Sequence, residues 1–201
     1  MFYLTIFGFF IGAYIFGSIN SSVVISRLLG RLDPRESGSG NPGATNTLRT
    51  LGKGWALVVL LLDSGRGALV LAFAVYLLPG DWAPFLGAFG VLLGNLFPVF
   101  HGFKGGKGVA TTLGIYIALS PSSAGLGVVI WLLVAAIFRY SSLGSLLMVS
   151  SYPVLLQIFG HRPLGATVLV CTMVPVVMFT HRENIYRLLK GQEHKLGSKK
   201  V

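Results

Sequence analysis

Two lysines and four glycines stand close together in the segment from Pro98 to Thr112. They are Lys104, Lys107, Gly102, Gly105, Gly106 and Gly108. Glycine leaves backbone N–H groups accessible and two ammonium groups add positive charge, so the segment can surround an anion such as phosphate. It is not a Walker A loop, because Gly108 follows Lys107 where that motif has Ser or Thr. The alternative is a flexible basic turn that contacts anionic lipid headgroups.

A second polar segment runs from Ser37 to Arg49 and reads Ser-Gly-Ser-Gly-Asn-Pro-Gly-Ala-Thr-Asn-Thr-Leu-Arg. Its hydroxyl and amide side chains, among them Asn41, Thr45 and Asn46, can donate hydrogen bonds to a ligand rich in oxygen. The guanidinium of Arg49 has the forked geometry that suits phosphate. An ordinary solvated linker is the alternative, but a linker between apolar stretches does not need so many Asn, Thr and Gly residues.

The polar tail from His181 to Lys195 carries a third candidate group. His181 and Asn184 are three residues apart, which places them on one face of a helix. There an imidazole can transfer a proton and an amide can orient a hydroxyl group. The alternative is a basic helix at the lipid interface, whose lysines extend toward the headgroups. The other histidines, His101 among them, have no partner pattern, and we expect them to contact solvent or headgroups.

Asp63 and Arg66 form an ionisable pair inside an apolar stretch. Their spacing of three residues puts both side chains on one helix face. Charged groups at membrane depth usually face the interior of a helix bundle or a wet cavity. The pair is therefore either a buried structural ion pair that joins two helices or a part of a site.

The composition is that of an integral membrane protein. Of 201 residues, 53% are apolar and 11% are charged, against about 25% charged in soluble domains, and the mean hydropathy is +0.75. A net charge of +10 would also suit a nucleic-acid-binding protein, but no polar domain of adequate length exists to carry it. The single cysteine, Cys171, predicts neither a disulfide nor a zinc site, and without paired carboxylates we expect no metal or other cofactor.

The apolar stretches predict an all-α bundle of seven transmembrane helices in one domain over residues 1–201. The predicted spans are Leu4–Leu29, Trp55–Leu78, Ala83–Phe97, Val109–Leu119, Gly125–Phe138, Leu143–Phe159 and Leu164–Thr180. Val109–Leu119 is too short to cross about 30 Å of hydrocarbon unless the glycines before it also become helical. In the first span, Gly8 and Gly12 have the spacing that lets a neighbouring backbone come close.

The distribution of Lys and Arg predicts the orientation, because cytoplasmic loops are enriched in both. With seven spans, Arg162 alone lies on one side, and the basic residues of the other loops and of the tail lie on the opposite side. Fusing the fourth and fifth spans would export the basic tail. We therefore expect the N-terminus outside, the C-terminus in the cytoplasm, and all three polar segments at the cytoplasmic face.

The three segments together resemble the three cytoplasmic motifs of the bacterial acyl-phosphate:glycerol-3-phosphate acyltransferases, the PlsY family. The matching stretches are residues 37–46, residues 97–111, and residues 181–188 with Gly191 and Glu193. The resemblance covers almost the whole chain and includes the Asp63-x-x-Arg66-Gly67 pattern. The departures are Asn95 where the family usually has histidine, Asn20 where it has proline, and Arg66 where it has lysine.

The resemblance implies a multi-pass protein of the bacterial inner membrane with its active site on the cytoplasmic face. It implies transfer of an acyl group from acyl phosphate to the 1-hydroxyl of sn-glycerol 3-phosphate, giving lysophosphatidic acid and phosphate. Ser37 and Arg49 match catalytically important residues, and the glycines of the second segment match the acyl-phosphate site. His181 and Asn184 match active residues, and Glu193 matches a structural one.

Residue chemistry leaves the mechanism and the competing functions open. No Gly-x-Ser-x-Gly or His-x4-Asp box is present, which removes the parts of a serine hydrolase or a typical acyl-CoA acyltransferase. We predict that Lys104, Lys107 and Arg49 neutralise phosphates, and the hydroxyl proton goes either to His181 or to a substrate phosphate. A transporter for an anionic solute and a non-enzymatic lipid-binding scaffold are the alternatives. We expect a monomer whose partners are the two substrates and membrane lipids.

Overall fold

Helices account for all the regular secondary structure in residues 2–159 and 164–197, which are the residues that the computed structural model describes. The all-helical prediction is confirmed for that part of the chain. The described residues divide after Leu119 into two compact units. The single domain over residues 1–201 stays a prediction.

The first unit contains six α-helices and a short 3₁₀ turn at Val99–His101. The helices are α1 (Phe2–Gly17), α2 (Ser21–Leu28), α3 (Ala44–Thr50), α4 (Lys53–Leu77), α5 (Ala83–Leu96) and α6 (Val109–Leu119). The main packing pairs are α1 with α5 and α4 with α6, and α4 also packs on α5 and α3. The central helix α4 therefore supports α5 and α6, the helices on either side of residues 98–112, which we call the glycine loop.

The backbones of α1 and α5 cross in close contact at glycines. A Cβ at Gly17 would lie 2.3 Å from the carbonyl oxygen of Val91, and one at Gly94 would lie 2.1 Å from that of Tyr14. The prediction that Gly8 and Gly12 make this approach is wrong, because no described atom of another helix lies within 4 Å of a Cβ at either position. The small residues of α1 that contact α5 are Ala13, which lies against the Gly90 position, and Gly17.

The predicted first span is broken between Gly17 and Ser21, where α1 and α2 meet at a bend of 40°. The side chain of Asn20 accepts a 3.0 Å hydrogen bond from the Val23 N–H and so caps the start of α2. On the other side of the break, Arg66 of α4 donates to the last carbonyls of α1. Polar partners thus satisfy both helix ends inside an apolar region.

The second unit contains four α-helices. They are α7 (Pro121–Phe138), α8 (Ser141–Ile158), α9 (Leu164–Thr180) and α10 (Arg182–Leu189). Helix α8 packs on α7 and on α9. Between α9 and α10 the chain bends by 63° at His181, which is buried.

Within residues 2–159 and 164–197, four helices are long and apolar enough to cross a membrane, and the number rises to six if each bent helix pair forms one span. Helix α6 has the predicted bounds but only 11 residues. The chain is therefore a multi-pass helical membrane protein, and the seven-span count and the orientation stay predictions. Arg162, on which the orientation partly depends, lies outside the described residues, as do Lys199 and Lys200.

Candidate active site

The first polar segment is a loop organised around the side chain of Asn46. Its amide nitrogen donates to the carbonyls of Pro34 and Ser37 at 2.8 and 3.0 Å, and its amide oxygen accepts from the Ser39 N–H at 2.7 Å. Asn46 is 1% exposed. We predicted Asn46 as a phosphate ligand; in this arrangement both ends of its amide hold the backbone of the loop.

Gly38 explains why the loop needs glycine beside this amide. Its φ is +61°, and a Cβ there would lie 2.1 Å from the amide oxygen of Asn46. The Ser37 hydroxyl is half-buried and donates to the Asp33 carbonyl at 3.1 Å. Arg49 is exposed in the last turn of α3.

Asn41 and Thr45, the other predicted ligands of this segment, are half-buried. Asn41 lies in the loop and Thr45 in the first turn of α3. Their predicted contacts with substrate stay predictions.

The second segment folds back onto the end of α5. The Gly106 N–H donates to the Asn95 carbonyl at 3.1 Å, and a Cβ at Gly105 would lie 2.2 Å from the same carbonyl. Lys104 is exposed and Lys107 is half-buried. The loop is therefore a close-packed turn whose shape depends on glycine, with two cationic side chains on it.

The remaining glycines of this segment, Gly102 and Gly108, have positive φ values of +63° and +78°. His101, immediately before Gly102, is 9% exposed. The expectation that His101 contacts solvent or headgroups is therefore wrong. The 3₁₀ turn directs this side chain inward, and a lone histidine between apolar residues gave no sign of that turn.

The first unit brings these two segments together. Arg35 Nη1 donates to the His101 carbonyl at 2.8 Å, and a Cβ at Gly106 would lie 3.2 Å from the Pro42 carbonyl oxygen. Arg35 also donates hydrogen bonds from Nε and Nη2 to the two carboxylate oxygens of Asp33, at 2.9 and 2.7 Å. This hydrogen-bonded pair lowers the pKa of Asp33 and raises that of Arg35.

Sequence reasoning did not identify Arg35 or Asp33 as parts of the site. The signal that could have found them is the Asp-Pro-Arg tripeptide at residues 33–35, which only Glu36 separates from Ser37. It places a carboxylate and a guanidinium at the entrance to a loop rich in backbone donors and acceptors.

His181 of the third segment lies at the bend before α10, one position ahead of the helix. It is 3% exposed, and its Nδ1 lies 2.8 Å from the Val177 carbonyl oxygen. A carbonyl can only accept, so Nδ1 carries the hydrogen, and in the neutral ring Nε2 is the basic nitrogen. This is the tautomer that a general base acting through Nε2 requires.

Asn184, in the first turn of α10, is held by the carboxylate of Glu193. Asn184 Nδ2 donates to Glu193 Oε1 at 2.6 Å, the Ser142 hydroxyl donates to the same oxygen at 2.7 Å, and Arg187 Nε donates to Oε2 at 2.7 Å. Burial alone would raise the pKa of Glu193, but these hydrogen bonds outweigh it and lower the pKa. Glu193 thus links α8 to both ends of α10.

Asp63 and Arg66 are buried in α4, at 4% and 5% exposure. Arg66 Nη2 donates to Asp63 Oδ1 and, at 2.7 Å, to the Ser21 hydroxyl. The Ser21 hydroxyl donates to Asp63 Oδ1 at 2.7 Å. Arg66 Nη1 also donates hydrogen bonds to the carbonyls at the end of α1. The pair therefore has the contacts of a structural link between α4 and the broken first span.

The site residues thus fall into two groups, one in each compact unit. In the first unit, the side-chain hydrogen bond from Arg35 to the His101 carbonyl joins the glycine loop to the loop that carries Ser37, which we call the Ser37 loop. In the second, a buried imidazole with a defined tautomer and a carboxylate-held amide lie within four residues. The first group can neutralise and orient phosphates, and the second can orient a hydroxyl and accept its proton.

Comparison with known proteins gives one consistent result. The family model described as glycerol-3-phosphate acyltransferase matches residues 7–191. The glycerol-3-phosphate acyltransferase of Bordetella petrii is 45% identical over 197 residues, which cover 94% of this chain and 92% of the relative. That of Halalkalibacterium halodurans is 44% identical over 196 residues, covering 94% and 95%.

The solved structures agree with the sequence relatives. The chain is similar to the crystal structure of PlsY (YgiH), an integral membrane glycerol 3-phosphate acyltransferase, in its glycerol 3-phosphate form. The TM-score is 0.89 at 39% identity, with 96% of both chains covered. The lysophosphatidic acid form gives a TM-score of 0.88 at 38% identity. With a family model across most of its length and relatives this similar, the chain belongs to the glycerol-3-phosphate acyltransferase family.

Proposed function

We propose that this protein transfers a fatty acyl group from acyl phosphate to the 1-hydroxyl of sn-glycerol 3-phosphate. The products are lysophosphatidic acid and inorganic phosphate, and the reaction begins phospholipid synthesis. The observation that carries the proposal is the junction of the Ser37 loop with the glycine loop, where Arg35 donates to the His101 carbonyl. Family membership supports glycerol 3-phosphate as the acceptor, and the two cationic loops suit a reaction in which both substrates carry phosphate.

The donor supplies most of the reactivity in this proposal. An acyl phosphate is a mixed anhydride with phosphate as leaving group, so the protein needs mainly to position the reactants and neutralise charge. The hydroxyl oxygen of the acceptor forms a bond to the acyl carbon, and the acyl carbon–oxygen bond to phosphate breaks. Lys104, Lys107 and Arg49 neutralise the phosphates, while Ser37 and Asn184 orient the groups around the acceptor hydroxyl.

The hydroxyl proton has two candidate acceptors. The first is Nε2 of His181, which is supported by the hydrogen bond that fixes Nδ1 as the donor nitrogen. The second is a phosphate oxygen of a substrate, with His181 then serving only to orient the reactants. Substitution of His181 by Gln separates the two, because near-normal kcat with substrate binding intact would exclude the imidazole as base.

The proposed location is the bacterial inner membrane, crossed by seven spans, with the N-terminus outside and the C-terminus in the cytoplasm. The bias of Lys and Arg toward one set of loops supports this orientation. In this orientation each of the three polar segments faces the cytoplasm, and we propose that the protein is a monomer. Labelling of single cysteines placed at Ser39, Lys104 and His194 tests this orientation, because all three must react from the cytoplasmic side.

A transporter for an anionic solute gains no support from the intramembrane ion pair that suggested it. Asp63 and Arg66 are hydrogen-bonded to Ser21, and Arg66 also donates a hydrogen bond to the last carbonyl of α1. These are the contacts of a structural cluster. We therefore retain the enzyme as the single proposed function.

The decisive experiment measures release of inorganic phosphate from acyl phosphate by the purified protein, with and without glycerol 3-phosphate. We expect acceptor-dependent release, formation of lysophosphatidic acid, and no reaction with acyl-CoA as donor. Substitution of Ser37 by Ala should reduce the rate, whereas substitution of the exposed Arg27 by Gln should not. Transfer from acyl-CoA alone would replace the proposed donor, and transfer from neither donor would refute the enzymatic function.

A further inference from the structure

The tail that follows α10 turns back onto the connection between α7 and α8. The Leu196 N–H donates to the Arg139 carbonyl at 2.6 Å, and Arg139 Nη2 and Nε donate to the Leu196 carbonyl at 2.8 and 3.2 Å. Lys195 Nζ lies 5.9 Å from the centre of the Tyr140 ring. We call this set of contacts between residues 139–140 and 195–196 the tail clamp.

The conformation of Arg139 shows that the clamp is a specific feature. Arg139 has φ +63°, in the left-handed region that favours glycine, and it ends α7. Gly197 fits closely on the other side, because a Cβ there would lie 3.2 Å from Arg139 Nη2. Arg139 thus takes a backbone conformation that is easier for glycine, while its guanidinium makes a contact that glycine could not make.

The clamp fixes one end of the short segment that carries Glu193. Glu193 lies three residues before Leu196, and its side chain is 6% exposed. Its carboxylate accepts hydrogen bonds from Asn184, Ser142 and Arg187. The segment continues directly into the clamp, so residues 193–196 are held at one end by the hydrogen bonds of Glu193 and at the other by those of Leu196.

We propose that Arg139 is a positioning residue for acyl transfer: it holds the tail at Leu196, so that Glu193 stays on the amide of Asn184. The inference rests on the proposed function, in which Asn184 orients the acceptor hydroxyl. Nδ2 of Asn184 donates to the carboxylate, which fixes the rotation of the amide. Releasing the tail lets the amide rotate and weakens the binding of glycerol 3-phosphate.

One substitution and two C-terminal truncations, each purified in detergent, test the proposal. Arg139→Gly keeps the left-handed backbone accessible and removes the guanidinium. A chain that ends at Lys195 removes Leu196 and its contacts, and a chain that ends at Gly197 is the matched control that keeps every contact of the clamp. The measurements are kcat, KM for each substrate, and the midpoint of thermal unfolding.

We expect Arg139→Gly and the chain ending at Lys195 to raise KM for glycerol 3-phosphate about 5- to 50-fold, as expected for a misplaced positioning group. KM for acyl phosphate should change less than twofold. A loss of folded protein would lower the apparent kcat but leave KM unchanged, so the KM shift separates positioning from unfolding. Combining the two changes should give no larger shift than either alone, because both break the same contact.

The inference would be overturned if Arg139→Gly had the wild-type KM for glycerol 3-phosphate. It would also be overturned if the KM shifts of the two single changes multiplied in the combined variant. Either result would leave the proposed function standing. Equal loss in the chain that ends at Gly197 would also overturn it, since the clamp is intact there. Absence of transfer by the wild-type protein would overturn the proposed function and this inference together.

Discussion

The guanidinium of Arg66 donates a 3.1 Å hydrogen bond to the backbone carbonyl of Gly17, the last residue of α1. A side chain of α4 therefore satisfies the end of a helix that stops inside an apolar region, where water is not available to do so. The same guanidinium donates hydrogen bonds to the Asp63 carboxylate and to the Ser21 hydroxyl. The break in the first span is thus stabilised by a residue far away in the sequence.

Removing this guanidinium should destabilise the protein strongly. Arg66→Met leaves a buried Asp63 and the helix-end carbonyls without their donor, a change that costs about 3 to 5 kcal/mol when a buried pair loses one partner. Arg66→Lys keeps the charge for Asp63 but cannot reach several carbonyls at once, so its loss should be smaller. The midpoint of thermal unfolding in detergent measures both effects.

The matched control is Arg27→Met on α2, which removes an exposed arginine next to the same region. Its effect should stay within about 0.5 kcal/mol, as for other surface substitutions. An Arg66→Met protein as stable as Arg27→Met would contradict the structural role of Arg66. The charge of Arg66 would then be explained better by a part in a functional site.

The glycines of the α4–α6 contact give a prediction with an internal control. A Cβ at Gly114 would lie 1.7 Å from the Ser64 carbonyl oxygen, and one at Gly67 would lie 2.2 Å from that of Thr111. Gly114→Ala and Gly67→Ala should therefore force the helices apart and lower the unfolding midpoint. In Gly65→Ala, on α4, the added methyl meets no described atom of another helix within 4 Å. It should be neutral or stabilising by about 0.4 to 1 kcal/mol.

The comparison of the three alanine variants uses the same substitution on one pair of helices, so intrinsic helix propensity changes equally at each position. Only the steric contact differs. Equal midpoints for Gly65→Ala and Gly67→Ala would show that α4 and α6 do not cross as closely as described.

Sequence periodicity predicted some helices well and missed the interruptions. The predicted segments Val109–Leu119 and Leu164–Thr180 have the same bounds as α6 and α9, because turn-forming or charged residues flank them. The break at Gly17 was not predicted, because apolar residues continue across it and the residue that satisfies it, Arg66, belongs to another helix. Periodicity describes one helix at a time and does not carry such long-range hydrogen bonds.

The candidate site shows the same limit at the level of side chains. The polar segments were identifiable from composition, but composition did not show which of their side chains hold the loop and which are left to contact a ligand. Asn46 holds its own loop through three backbone hydrogen bonds, and Arg35, outside the predicted segment, joins it to the glycine loop. A residue type indicates which hydrogen bonds are possible, and only the folded backbone determines which of them form.

Arg35 should therefore affect substrate binding although it lies outside the sequence motifs. Arg35→Gln loses the two hydrogen bonds to the Asp33 carboxylate and the hydrogen bond to the His101 carbonyl. The Ser37 loop and the glycine loop are then less firmly joined. We expect kcat/KM to fall about tenfold, as for other losses of substrate positioning. The control is Arg31→Gln, which removes an exposed arginine nearby. Equal kcat/KM values for the two variants would show that the loops do not depend on this link.

Glu193 should make stability depend on pH in the acidic range. Its hydrogen bonds from Ser142, Arg187 and Asn184 outweigh the effect of burial and hold its pKa below the ordinary value of 4.5. Because the folded-state pKa is lower than the unfolded one, the stabilisation is complete above pH 4.5 and is lost as the pH falls through the folded-state pKa. Acid therefore releases the carboxylate from Asn184.

Unfolding midpoints of the wild-type protein and of Glu193→Gln, measured in detergent from pH 7 to pH 3, test this. The wild-type protein should be more stable at pH 7, and the difference should shrink below pH 4.5, because only the wild type has the carboxylate to protonate. Asp33, whose pKa is also lowered, contributes equally to both proteins and cancels in the difference. A difference that is constant over this range would mean that the charge of Glu193 does not stabilise the third segment, and would leave only its size and shape to hold Asn184.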